Sequence, residues 1–74
     1  MIVTVRHRQS VFDLALQHFG SVEACFKVAD RLGIEITDET TAGATFQMEE
    51  NEIIDKTVVD YYEQNNIIPT TEEY

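Results

Sequence analysis

The stretch VTVRHRQSVFDLALQHFGSVEACFKVADRLG, residues 3–33, decides the fold. Ile2, Val3, Thr4 and Val5 are β-branched and, with Arg6, read as a short strand over 2–6 that buries Val3 and Val5. Ser10 and Asp13 then form an S-x-x-D capping arrangement: the serine oxygen accepts from an early helical amide, and the acid sits where the helix dipole favours negative charge. The first helix is predicted over 11–19, with Gly20 free to take the left-handed conformation that closes helices. Its apolar residues fall in two stripes. Val11, Leu14 and Ala15 run toward His18; Phe12, Leu16 and Phe19 stand at i, i+4 and i+7.

Working outward, Ser21 caps a second helix with Glu23 in its first turn. Val22, Cys25, Phe26, Ala29 and Leu32 are its predicted apolar face and Gly33 its end. Neither helix is long enough to be stable alone, so the two must pack in a tight corner against a sheet. Ile34 and Ile36 alternate with Glu35 and Thr37, and Asp38 to Gly43 carry turn chemistry. Residues 45–48, with Phe46 and Met48 on one face, are the natural return strand, antiparallel to 3–6. The expected class is α+β: a β-α-α-β unit with a two-stranded antiparallel sheet over 1–50, followed by a helical extension over 51–74. In that extension Asp55 caps a third helix, Ile54, Val58 and Tyr62 line up at i, i+4 and i+8 with Val59 beside them, and Asn65, Asn66 and Pro69 end it. The polar residues after Pro69 are expected to fray. The helix needs an apolar dock. The stripe Phe12, Leu16, Phe19 is the expected one, and another protein the alternative, which makes Phe12, Leu16, Phe19, Val58, Tyr61 and Tyr62 the interface candidates.

Length and charge bound the function. At 74 residues the chain is one domain with an economical core. Fourteen acidic residues against five basic ones give a formal charge of -9, which repels phosphate backbones and anionic lipid. No nucleic acid and no membrane partner is therefore expected. The single cysteine, Cys25, rules out an intramolecular disulfide and reads as a buried, inert thiol. The N-terminus has no apolar h-region and no run reaches the roughly 18 residues a membrane span requires, so synthesis in the cytoplasm without a signal peptide is expected. His7 and His18 lack companions at metal-ligand spacing, which predicts no metal and no cofactor. Carboxylate neighbours such as Asp38-Glu39 and Glu49-Glu50 sit in turns rather than across a cleft, so no catalytic residues are expected and the protein is read as a non-enzyme.

From Thr4 to Met48 the chain resembles a LysM (lysin motif) domain, the β-α-α-β module of cell-wall hydrolases and chitin receptors. Thr4, Val5 and Arg6 match that family's first strand; Ser10, Val11, Leu14 and Ala15 its helix opening; Phe19 and Gly20 the helix end; Asp38, Gly43, Phe46 and Met48 the closing segment. The chain departs from the pattern at Arg8 and Gln9, where the family has Gly-Asp, at Leu32, usually Asn, and at Thr40, usually apolar. The resemblance implies a groove for N-acetylglucosamine units of peptidoglycan or chitin. His7, Arg8, Gln9 and Ser10 would line one side and Gly33, Ile34, Glu35 and Ile36 the other, with backbone groups holding the acetamido moiety. Size and layout also resemble the small LysM-type proteins of contractile phage tails, the tail protein X kind. The resemblance thus implies a carbohydrate-binding module in a phage-tail or wall-associated assembly, or else a tail or baseplate component that binds protein and no glycan.

Overall fold

In the computed structural model, which describes residues 1–70, strands β1 (Ile2–Thr4) and β2 (Thr45–Gln47) pair antiparallel in the register Ile2↔Gln47, Val3↔Phe46 and Thr4↔Thr45. Backbone bonds carry the ladder past both ends: Met48 N–H donates to Met1 O at 3.0 Å, and Val5 N–H donates to Ala44 O at 2.8 Å. Each strand buries its central residue and exposes the flanking ones, as alternation requires. Val3, Val5, Phe46 and Met48 face the core. Arg6 leaves the ladder because its N–H is taken by Gln9 Oε1 at 3.1 Å.

Helix α1 (Val11–Phe19) begins with the full capping box, Ser10 Oγ accepting from Asp13 N–H and Asp13 Oδ2 accepting from Ser10 N–H at 2.8 Å. It ends at Gly20 with φ of 79°. Ser21 then caps a 3-10 turn, Val22–Ala24, which leads into α2 (Cys25–Leu32). Gly33 closes α2 in the left-handed conformation, with Ile34 N–H reaching back to Ala29 O. Together the described residues form a small α+β fold in which a two-stranded antiparallel sheet and three helices follow a β-α-α-β layout with a helix appended.

The buried face of α2 differs from the sequence expectation. Ala24, Cys25, Val28 and Ala29 enter the core, while Val22 is 51 % and Phe26 68 % exposed. For Val22 the cause is the 3-10 turn: at three residues per turn it advances about 20° more per residue than an α-helix, so its phase does not carry into α2. Phe26, one residue on from Cys25, stands about 100° round from it, on the flank of the buried stripe. Cys25, Val28, Ala29 and Leu32 form an i, i+3, i+4, i+7 set of their own, with Leu32 half-buried against the core.

Helix α3 (Lys56–Gln64) packs against α1, though not on the expected stripe as a whole. Phe19 belongs to the central core, Leu16 is half-buried, and Phe12 remains 44 % exposed. The entry to α3 is fixed by backbone: Ile54 N–H and Asp55 N–H both donate to Phe19 O, at 2.7 and 3.1 Å. Asp55 then caps the helix by accepting from Thr57 and Val58. At the far end of the chain Pro69 O accepts from Gln9 Nε2 at 3.1 Å, so α3 runs back along α1 in the opposite direction. Val58, Val59 and Tyr62 are half-buried, whereas Ile54 and Tyr61 are exposed. The fraying expected after Pro69 concerns residues that, from 71 on, lie outside those described.

A second fastening lies on the opposite side. Arg31 at the end of α2 forks onto the Glu52 carboxylate and also donates to Gln47 O at 3.0 Å, joining α2, β2 and the 3-10 turn Glu50–Glu52. The Arg31 hydrogen bond, helped by the Glu49 amide, holds the Glu52 carboxyl at about 2, well below the usual range.

Candidate binding groove

The turn leaving β1 is set by Gln9 N–H, which donates to Arg6 O at 3.2 Å. Arg8, the third residue of that turn, has φ of 66°, the left-handed value a type II turn demands at this position. A glycine would take it without steric cost, and arginine does not. Gln9 follows, 2 % exposed, with every polar atom of its side chain engaged: Oε1 accepts from Arg6 N–H, and Nε2 donates to Gln17 Oε1 at 2.7 Å and to Pro69 O. The loop is therefore anchored from within.

Across from it, the segment between α2 and β2 contains a turn in which Asp38 Oδ2 accepts from Glu35 N–H at 2.9 Å and Asp38 N–H donates to Glu35 O at 3.0 Å. Thr40 Oγ1 then donates to Gln9 O, bolting the two loops together. Between them lies an open groove of about 650 Å³. His7, Arg8, Gln9 and Ser10 form one wall; Ile36, Thr37, Asp38, Glu39 and Thr40 form the other; Phe12 and Ala42 complete the lining.

Of the eight residues assigned to the groove from sequence, the structure brings together His7, Arg8, Gln9, Ser10 and Ile36. Gly33, Ile34 and Glu35 are outside the lining. Gly33 and Ile34 are used to close α2, and Glu35 is used in the Asp38 turn. The second wall is thus shifted a few residues along the chain. Phe12 was assigned to a docking stripe and lines the groove instead. The turn chemistry of Asp38 and Thr40 was the available signal for the shifted wall.

His18 and Cys25 sit outside the groove, whereas His7 is part of its wall. His18 is half-buried on α1 and burial pushes its imidazole below the ordinary 6.5. His7 is exposed and accepts a long bond from Arg8 Nε at 3.4 Å. Cys25 is buried. Among the described residues no group of His, Cys, Asp or Glu is placed to hold a metal ion, and no helix is long and apolar enough to cross a membrane. No family model, no curated protein and no solved structure matches this chain.

Proposed function

We propose that the protein is a non-catalytic LysM-like module that binds N-acetylglucosamine-containing glycan, in particular peptidoglycan, as part of a phage-tail or cell-wall-associated assembly. The observation that carries this reading is the groove between the β1–α1 loop and the α2–β2 segment, the two loops at which the LysM resemblance expects sugar. Its mixed lining suits the task. Phe12, Ile36 and Ala42 offer apolar surface to an acetamido methyl and a sugar face, while Thr37 and the loop backbones offer hydrogen bonds. The protein would be made in the cytoplasm and reach the wall by incorporation into a virion tail. Titration with chitooligosaccharides, followed by backbone amide shifts, tests this: shifts at residues 7–10 and 36–40 are expected, and none at millimolar sugar refutes glycan binding.

A second reading, a tail or baseplate component that binds protein alone, is supported by apolar side chains left outside. Ile54 and Tyr61 on the α3 side are 51 % and 57 % exposed, and Val22 in the 3-10 turn and Phe26 in α2 are 51 % and 68 % exposed. Substituting Tyr61 and Phe26 by serine separates the two readings. Glycan binding is indifferent to these changes, whereas assembly with a protein partner requires those side chains.

A further inference from the structure

We propose that the outer edge of β1 is a strand-addition site for an extended segment of a partner protein whose acidic end meets Arg6. The inference is independent of the glycan reading, because this edge belongs to the sheet and not to the groove.

The ladder decides which backbone groups face outward. Met1 and Met48 exchange both backbone bonds, Met1 N donating to Met48 O at 2.8 Å and Met48 N–H to Met1 O at 3.0 Å. Val5 is likewise bonded on both sides, its N–H to Ala44 O and its carbonyl to Gly43 N–H at 2.9 Å. In an antiparallel pair bonded and non-bonded residues alternate, so Val3 completes the bonded set while Ile2 and Thr4 turn N–H and C=O away from β2. The same alternation points the Gln47 carbonyl out on the other edge, where Arg31 donates to it at 3.0 Å and α2 packs against the strand.

The two edges are thus unequal. The edge of β2 is closed by the Arg31–Glu52 fastening, whereas no described residue bonds to the N–H or C=O of Ile2 or Thr4. No proline or charged side chain interrupts Ile2–Thr4, and Ile2 is 65 % exposed. An added strand can therefore pair along 2–5. It stops at Arg6, whose N–H is held by Gln9 Oε1.

Charge selects the occupant. All fourteen acidic residues follow Phe12, so β1 and the loop that leaves it carry Arg6 and Arg8 and no acid. A second copy added edge to edge sets β1 against β1 and offers Arg6 no carboxylate, whereas a partner segment with an acidic end does. At the opposite end Met1 lies beside Met48, which Glu49 and Glu50 follow, so acid is favoured at the Arg6 end alone. Charges beyond about 8 Å are screened at physiological ionic strength, which makes the local sign, and not the net charge, the relevant one. Backbone bonds supply the attachment and the end charge the selectivity.

The test is NMR titration of the full chain with capped hexapeptides at millimolar concentration. One begins with a pair of aspartates followed by alternating threonine and valine, and one has the reverse order, so that either strand direction brings acid to Arg6. Counterparts carry lysine for aspartate, or methyl groups on alternate backbone nitrogens. An aspartate peptide is expected to move the Ile2 and Thr4 amides and to bind about threefold tighter than its lysine counterpart, a preference that Arg6→Gln removes. Methylation of the peptide should abolish binding. Thr4→Pro, which removes an outward N–H that the β1–β2 ladder does not use, should weaken it several-fold, and if that variant does not fold the methylated peptide decides alone. No shift at Ile2 and Thr4 with any peptide, undiminished binding of the methylated peptide, or equal affinity for the aspartate and lysine forms overturns the proposal. A dimer in sedimentation with intermolecular contacts between β1 strands gives the edge to a second copy and overturns it as well. None of these outcomes touches the glycan reading, whose shifts fall at residues 7–10 and 36–40.

Discussion

Replacing Gly20 by alanine is predicted to unseat α3 while leaving the β-α-α-β unit folded. Two costs combine. The residue has φ of 79°, a conformation that costs an L side chain about 1–2 kcal/mol. In addition, a Cβ at this position would fall inside contact distance of the Asp55 carbonyl oxygen and 2.8 Å from its carbonyl carbon, and both are backbone atoms that no rotamer change can move. Relief requires the chain at 54–55 to retreat, which breaks the two bonds that Ile54 and Asp55 donate to Phe19 O, worth about 1 kcal/mol each. With overpacking at about 1–3 kcal/mol, the expected loss is about 4–7 kcal/mol. A domain of this size is stable by roughly 4–11 kcal/mol, so the variant is marginal. Gly33→Ala is the control: its φ of 72° carries the same conformational cost, yet nothing lies within 4 Å of the added Cβ. It should lose only about 1 kcal/mol. Urea unfolding gives both values, and near-ultraviolet dichroism of the edge-to-face pair Tyr61–Tyr62 reports the seating of α3. Losses that agree within about 1 kcal/mol, or an unchanged tyrosine signal in Gly20→Ala, would refute the claim that a backbone contact at Gly20 holds the helix.

Arg8→Gly should be neutral to stabilising by up to about 1 kcal/mol, because the relief of a left-handed arginine is partly offset by the freer unfolded chain; a β-branched Arg8→Val should lose stability in the same urea assay. Carbon-detected NMR titration should place the Glu52 carboxyl near 2, and Arg31→Ala should return it toward 4.5. Since the folded value is the depressed one, what the pair contributes is present above about pH 4.5 and disappears as pH falls toward 2. His18 also titrates below its ordinary value when folded, so stability is full above about 6.5 and declines as the pH drops below it. The stability of His18→Leu relative to the parent should therefore rise between about pH 7 and pH 5, and a flat difference would exclude burial as the cause.

Much of the fold was legible because it is punctuated by residues with one local use. Ser10 with Asp13, Gly20, Ser21, Gly33 and Asp55 each cap or close an element as their chemistry requires. What escaped was phase and reach. Val22 is read as inside because a 3-10 entry cannot be told from an α-helical one by periodicity. Phe26, within α2, stands about 100° round from Cys25, on the flank of the buried stripe. Phe12 was assigned to the dock for α3 because stripe counting sees apolar area but not a backbone carbonyl, and the seat of α3 is the carbonyl of Phe19. In the groove, the wall beside Ser10 was legible from the helix cap it precedes. The opposite wall was not, because its position depends on how many residues the closure of α2 consumes before the chain turns.

Gln9 and Thr40 each have a physical use once the C-terminal segment is in place. Thr40 Oγ1 donates to the backbone carbonyl of Gln9, a bond that an apolar residue at position 40 could not make. An aspartate at position 9 could accept from Arg6 N–H but has no proton to donate, whereas the Gln9 amide accepts from Arg6 and donates to Gln17 and Pro69 together. Glutamine is therefore what a loop of this shape needs if it must also hold the returning end of the chain. The extension is fastened at both ends of α1, by Phe19 O at one and Gln9 at the other, which makes residues 51–70 a brace for the groove loop rather than an appendage. On this argument Arg8 and Gln9 belong to a groove loop built around its brace, with Gln9 holding the returning chain and Arg8 in the groove wall.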